Sequence, residues 1–102
     1  PEKNVPVSFL NLALSKAYFE AGGVEKGAAM LDRLLTVYAD KLKYYASLPV
    51  EKRKYFTSDI NEGVYVLNEI NDLSEKNNQT ELNKKAQESF QRYMNLYTPP
   101  NK

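Results

Sequence analysis

Acidic side chains and tyrosines are the residues of this sequence that could do chemistry. Paired carboxylates can act as general acid and base when a cleft holds them together and shifts their pKa values. A small enzyme of this kind would need a deep pocket that holds at least two of four residues, which are Glu62, Glu69, Tyr44 and Tyr55. The spacing of Glu62, Glu69, Asp72 and Glu75, however, places them along the polar side of one predicted helix, which is typical of a solvated face.

The residue types that are missing exclude most other chemistry. The 102 residues include no cysteine, histidine or tryptophan. The chain therefore has no disulfide, no thiolate nucleophile, no Ser-His-Asp or Cys-His device and no zinc site with nitrogen or sulfur ligands. No loop of alternating oxygen ligands predicts a calcium site. We predict a non-enzymatic segment with no catalytic residue, cofactor, metal or small-molecule ligand.

Residues 41–56, KLKYYASLPVEKRKYF, combine five basic residues with three tyrosines and a phenylalanine. Such a run could contact nucleic acid, a protein or lipid headgroups. The chain as a whole carries 14 basic and 13 acidic residues, so it lacks the basic excess of a nucleic-acid-binding domain. We therefore expect no nucleic-acid partner. Helical spacing instead predicts that Leu42 and Tyr45 point into the core near the end of a helix, with Tyr44 at the edge.

The second half of this run remains open at the level of sequence. Lys52, Arg53 and Lys54 either form an exposed turn with Tyr55 and Phe56 tucked beneath it, or present the two rings to a protein or a lipid headgroup. The first alternative makes the segment a linker between two helical pairs. The second makes it an interaction surface.

Apolar residues at helical spacing predict an all-α fold with four main helices. The first begins after Ser8, ends at Gly22-Gly23 and buries one stripe. The second spans Val24 to Ala46, and Ser47-Leu48-Pro49 ends it. The third begins near Asp59, which forms a capping box with Glu62. The fourth begins after Thr80 and ends at Thr98-Pro99. The buried stripe of the first helix is predicted to contain Phe9, Leu10, Ala13, Leu14, Ala17, Tyr18 and Ala21, and that of the fourth Leu82, Ala86, Phe90, Tyr93, Met94 and Tyr97.

These elements predict one helical domain over residues 8–97, preceded by a linker at 1–7 and followed by a disordered tail at 98–102. Short connections favour antiparallel neighbours. Tyr65 falls opposite the apolar face of the third helix, and Phe19 falls off the main stripe of the first. Both are predicted to be exposed and available to a partner.

The run LNLALSKAYFEAGGVEKGAAMLDRLL (10–35) resembles a tetratricopeptide repeat, a pair of antiparallel helices with small residues where they cross. The resemblance places Gly27 or Ala28 at the small contact position of the second helix, with Leu31 and Leu34 as larger core positions. The second helix runs longer than the repeat's, and no proline closes it at the usual place. Residues 60–97 match the repeat only in apolar spacing.

A broader resemblance covers nearly the whole chain. The order NVP, AYFEAG-x-x-EKG, LDRLLTVYADKLKYYASLP and FQRYMNLY resembles the C-terminal tail of a bacterial, Bacteroidetes-type family of multi-pass membrane proteins of unknown function. That family is related to protein O-mannosyltransferases. The resemblance implies a segment of a longer, membrane-associated protein, with the extracytoplasmic side favoured, and it carries over no catalytic residue.

Together these inferences predict a non-catalytic packing and interaction domain arranged as a right-handed, tetratricopeptide-like array. Its partner would be the upstream repeats or the membrane domain of its own parent, or another protein. An independent adaptor that binds a peptide in a groove between the first helices of the two pairs is the alternative. The candidate surface residues are Phe19, Tyr44, Lys52, Arg53, Lys54, Tyr55, Phe56 and Tyr65.

Overall fold

Helices joined by short connections make up the part of the chain that is described, which comprises Ser8 and residues 10–99 of the computed structural model. The α-helices are α1 (Leu10–Glu20), α2 (Val24–Ala46), α3 (Val50–Arg53), α4 (Thr57–Lys76) and α5 (Thr80–Tyr93). Two 3₁₀ turns follow α3 and α5, at Lys54–Phe56 and Met94–Leu96. The predicted all-α fold with four main helices, α1, α2, α4 and α5, is confirmed. Predictions for residues 1–7, Phe9 and 100–102 lie outside the described residues.

Helix α2 is the centre of the fold and has the bounds that its sequence predicts. It packs against α1, α4 and α5. Leu31, Leu34 and Leu42 are fully buried on its apolar face. The helix ends where the backbone N–H of Ser47 donates to the carbonyl oxygens of Lys43 and Tyr44, at 3.2 and 3.0 Å. Two residues later Pro49 prevents continuation of the helix, because it has no N–H to donate.

Helix α4 buries the wide face that its sequence predicts, because it packs on both α2 and α5. Val66, Leu67 and Ile70 have no exposed surface. A side chain at Gly63 would meet the buried Leu42 of α2 at 3.0 Å, so the glycine lets α2 and α4 approach closely.

The start of α4 differs from the prediction. The helix begins at Thr57, two residues before the predicted capping box at Asp59, and the residues just before it are not a loop. Helix α3 and the turn Lys54–Phe56 lead directly into α4, and the Thr57 hydroxyl donates to the carbonyl oxygen of Lys54 at 3.1 Å. Because α4 has already begun at Asp59, that residue has no helix terminus to cap.

The end of the described chain also departs from the prediction. After Tyr93 the α-helix tightens into a 3₁₀ turn, which leaves Met94 and Tyr97 each 44% exposed instead of buried. Thr98, predicted to begin a disordered tail, is held by Asn61 of α4. The Asn61 amide donates to the Thr98 carbonyl oxygen at 2.7 Å and accepts from the Thr98 N–H at 2.9 Å.

The buried face predicted for α1 is wrong. The residues that α1 buries are Leu12, Ser15 and Phe19. Leu10 is 67% exposed and Leu14 is 44% exposed. The exposure predicted for Phe19 is wrong for the same reason, since its ring is 8% exposed. The helix is therefore rotated about its axis compared with the prediction. The stripe with Leu12, Ser15 and Phe19 faces the core, and the aliphatic stripe with Leu10 and Leu14 does not.

Gly27 of α2 explains this rotation. The Phe19 ring lies flat over it, and a side chain at Gly27 would meet three ring atoms at 3.1 Å. Beside the ring, the Ser15 hydroxyl donates to the Gly27 carbonyl oxygen at 2.8 Å. Ser15 is fully buried and needs such a partner. The ring and the hydroxyl together turn this side of α1 towards α2, with Gly27 at the point of closest approach.

We expect Gly27→Ala to lower the free energy of unfolding by about 1 kcal/mol. Overpacking against the ring costs about 1 to 3 kcal/mol, whereas alanine regains about 1 kcal/mol of helix propensity. In a Phe19→Leu background the side chain can rotate away, so Gly27→Ala should become neutral or stabilising. Urea denaturation measures the free energy of unfolding in both backgrounds. Ala29→Gly, at an exposed position of α2, measures the difference in helix propensity between alanine and glycine on its own. Equal destabilisation in both backgrounds would contradict the packing described.

Candidate interaction surfaces

The predicted surface residues fall in two separate places. One lies at the end of the molecule where α2 stops and α3 and the turn Lys54–Phe56 follow. The other lies along α1 and α4, where Tyr65 is 52% exposed. Phe19 belongs to neither place, because it is in the core. Whether the exposed residues bind a partner stays a prediction.

Two of the predicted surface residues at the end of α2 stabilise the fold. Arg53 is half-buried and closes the end of α2. Its Nε donates to the Leu48 carbonyl oxygen at 3.2 Å, and its Nη2 donates to the Ala46 carbonyl oxygen at 3.0 Å. Phe56 is also half-buried, and its ring centre lies 5.1 Å from that of Tyr45. A helix end leaves carbonyl groups without partners, so Arg53 does for α2 what a capping residue does.

Replacement of Arg53 by alanine should lower the free energy of unfolding by about 1 to 2 kcal/mol, because two hydrogen bonds from a charged donor are lost. Lys52→Ala and Lys54→Ala should each change it by less than about 0.5 kcal/mol, since both side chains are exposed. Arg53→Lys keeps the charge but cannot reproduce the two-armed geometry, so it should resemble Arg53→Ala. Thermal or chemical denaturation of the four variants distinguishes these roles, and equal stability of all four would contradict the capping by Arg53.

Tyr45 connects the end of α2 to the turn Lys54–Phe56. Its ring lies between that of Tyr44, 5.5 Å away and edge-on, and that of Phe56. Burial raises the pKa of the Tyr45 hydroxyl above its ordinary value of 10.0, and the charge of Asp59, with smaller effects of Tyr44 and Glu62, raises that pKa further.

The raised pKa predicts a loss of stability in alkali. Above pH 10 the unfolded chain releases the Tyr45 proton before the folded chain does, so the free energy of unfolding falls as the pH rises. Below about pH 9 both states keep the proton and this effect is absent. Between pH 8 and pH 10.5 the melting temperature should therefore fall less for Tyr45→Phe than for the unchanged chain. An equal decline would contradict this role of Tyr45.

The remaining side chains at this end form a surface that we call the basic end. We define it by five exposed residues on the last turn of α2, on α3 and on the following turn, which are Tyr44, Val50, Lys52, Lys54 and Tyr55. The acidic Glu51 of α3 is exposed as well. Tyr44, Val50 and Tyr55 are 58%, 71% and 76% exposed. The Lys54 ammonium lies 5.9 Å from the centre of the Tyr55 ring, so the two side chains project together. The open question about residues 52–56 is thus answered residue by residue: Phe56 is tucked beneath the turn and Tyr55 is not.

The exposed aliphatic stripe of α1 forms a second surface, which we call the α1 face. It comprises Leu10, Ala13, Leu14 and Ala17. These residues recur at intervals of three and four, as on a helix that packs against a neighbour. Only limited contact joins α1 to α4, and its main contact is with α2 on the opposite side. The stripe therefore has the pattern of a packed face without being covered by the described residues.

A groove of about 430 Å³ runs between this face and α4. Tyr65 and Lys76 of α4 and Leu10 and Lys16 of α1 are among the residues that line it. The described residues that line it are Leu10, Leu12, Ala13, Lys16, Tyr65, Glu69, Asp72, Leu73 and Lys76. The groove thus lies between the first helices of the two pairs and mixes aliphatic, aromatic and charged side chains.

The residues that a carboxylate–tyrosine enzyme would need are not gathered in this groove. Glu69 lines it, but Glu62, Tyr44 and Tyr55 do not. Glu62 instead accepts a hydrogen bond of 2.8 Å from the Tyr38 hydroxyl. Among the described residues, no cluster of acidic side chains could hold a metal ion.

Sequence reasoning did not identify the α1 face, because it assigned Leu10 and Leu14 to the core. It also did not identify Val50, which no apolar pattern includes. The sequence did contain a signal for the α1 face. Leu12, Ser15 and Phe19 also recur at helical spacing, and the lack of a side chain at Gly27 leaves room for an aromatic ring. No comparable signal existed for Val50 within a helix of four residues.

Comparison with protein-family models, with curated proteins and with solved structures finds no match to this chain. The family resemblance drawn from the sequence therefore stays a prediction, and so does the tetratricopeptide-like arrangement. None of the helices over residues 10–99 is both long enough and apolar enough to cross a lipid bilayer.

Proposed function

We propose that this chain is a non-catalytic packing and interaction domain, and that the α1 face is the surface through which it docks. The observation that carries the proposal is the exposure of Leu10 and Leu14 on a stripe with the spacing of a packed helix face. Burying a leucine side chain contributes about 1.5 to 3 kcal/mol. A helix laid along this stripe would therefore gain a substantial part of its binding free energy from these two residues.

The occupant that we propose is an amphipathic helix from the same parent protein. The small side chains of Ala13 and Ala17 lie between the leucines and would let a second helix approach closely. A helix in that position would continue the series of packed helices beyond α1, as in a tetratricopeptide-like array, whose units bury their faces against neighbours. The resemblance described above supplies the parent: a bacterial, membrane-bound, glycosyltransferase-like protein that carries the domain at its C-terminal end.

Cysteine accessibility tests the proposal, because the chain has no cysteine of its own. In the present chain, Leu14→Cys should react with a thiol reagent as fast as Glu88→Cys, a control at an exposed position of α5. In the longer protein encoded by the same gene, Leu14→Cys should react at least about tenfold more slowly, while Glu88→Cys is unchanged. Equal rates at both positions in the longer protein would reject the packing of a parental helix on α1.

The alternative is an adaptor that binds a peptide from another protein, and one observation favours it. The groove lies between α1 and α4, where that hypothesis places it, and Tyr65 provides an exposed ring of the kind that anchors interfaces. Tyr65→Cys distinguishes the two functions in the same experiment. If it stays reactive in the longer protein, the groove is free for a partner; if it is protected together with Leu14→Cys, the parent fills the groove.

A further inference from the structure

The charge of the chain is unevenly distributed. Residues 41–59 contain five basic and two acidic residues, a net charge of +3, whereas the other 83 residues contain nine basic and 11 acidic residues, a net charge of −2. Of the five basic residues, Arg53 is turned inward to the carbonyl groups of α2. Lys52 and Lys54 are exposed at the basic end, with Lys43 on the last turn of α2 nearby in the chain. The acidic residues of this segment are Glu51 and Asp59.

The basic end has exposed apolar groups as well as positive charge. Tyr44, Val50 and Tyr55 are more than half exposed. A tyrosine has an apolar ring and a polar tip, and a lysine has an apolar stem and a charged tip, so both are suited to the boundary between lipid and water. The Lys54 ammonium near the Tyr55 ring shows that such a pair projects from one turn.

We propose that the basic end binds the surface of a membrane that contains anionic phospholipids. Lys52 and Lys54 contact the phosphate groups, and Tyr44, Val50 and Tyr55 enter the headgroup region. A protein partner of ordinary affinity needs about 800 Å² of matched surface on each side, which five side chains on a short turn do not supply. A lipid surface requires charge and amphipathic side chains but no matching shape. This site is separate from the α1 face.

Tryptophan fluorescence tests the proposal, because the chain has no tryptophan of its own. Tyr55→Trp places a single reporter in the basic end, and Tyr65→Trp places the matched control in the groove. With vesicles of equal parts phosphatidylcholine and phosphatidylglycerol, the emission of Tyr55→Trp should shift to shorter wavelength and that of Tyr65→Trp should not. Vesicles of phosphatidylcholine alone should shift neither, and 0.5 M sodium chloride should reverse the shift, because salt screens the attraction.

Charge reversal provides the second measurement, by co-sedimentation with the same vesicles. Each lysine near an anionic surface contributes about fivefold to binding, so the variant K52E/K54E should lose at least about 30-fold of its partition coefficient. The control K26E/K84E has the same net charge, but both of its substitutions lie at exposed positions elsewhere, on α2 and α5. It should bind nearly as well as the unchanged chain, and circular dichroism should show the same helix content for all three.

Any of three results would overturn the proposal. The first is that the unchanged chain does not bind the anionic vesicles, the second is that the two charge variants lose binding equally, and the third is that the emission of Tyr55→Trp and Tyr65→Trp shifts equally. Binding to polyglutamate or to a short RNA without binding to vesicles would also overturn it and would assign the basic end to a protein or a nucleic acid.

Discussion

The Phe19 ring over Gly27 is the contact that decides which face of α1 is exposed. It requires a residue without a side chain at one point of α2 and an aromatic ring at one point of α1. The buried hydrogen bond from Ser15 to Gly27 holds the same register. Once these groups face α2, Leu10 and Leu14 must face away from it, since they lie on the other side of the helix. A local packing requirement thereby determines which face of α1 is available.

A second close contact of the same type joins α2 to α4. Leu42 packs against Gly63, where a side chain would lie 3.0 Å away. The two glycines lie on different helices, and each receives a large side chain from a helix earlier in the chain. Near the second crossing, the Tyr38 ring is buried, its hydroxyl donates to Glu62, and the Lys41 ammonium lies 5.0 Å from its centre. Helix α2 thus contacts its neighbours through small and large residues that fit together, not through apolar area alone.

The sequence predicted the elements that have one strong pattern and was wrong where two patterns compete. Helix α2 has a single apolar stripe and clear ends, and its bounds agree with the predicted ones. Helix α1 has two stripes at helical spacing, one with Leu10 and Leu14 and the other with Leu12, Ser15 and Phe19. The choice between them is made by Gly27, which lies on another helix, so no property of α1 alone could reveal it. Residues 50–56 are too few for periodicity to assign, and the different roles of Arg53 and its lysine neighbours depend on two hydrogen bonds that only the fold shows.

The rotation of α1 is the central claim, and nuclear Overhauser effects between side chains measure it most directly. We predict strong effects between the Phe19 ring protons and the α-protons of Gly27. We also predict an upfield shift of those α-protons, because they lie beneath the ring, whereas the Leu14 methyl groups should show no effects to α2. Strong effects from the Leu14 methyl groups to Leu31 or Leu34, with none from Phe19 to Gly27, would contradict the account and return the aliphatic stripe of α1 to the core.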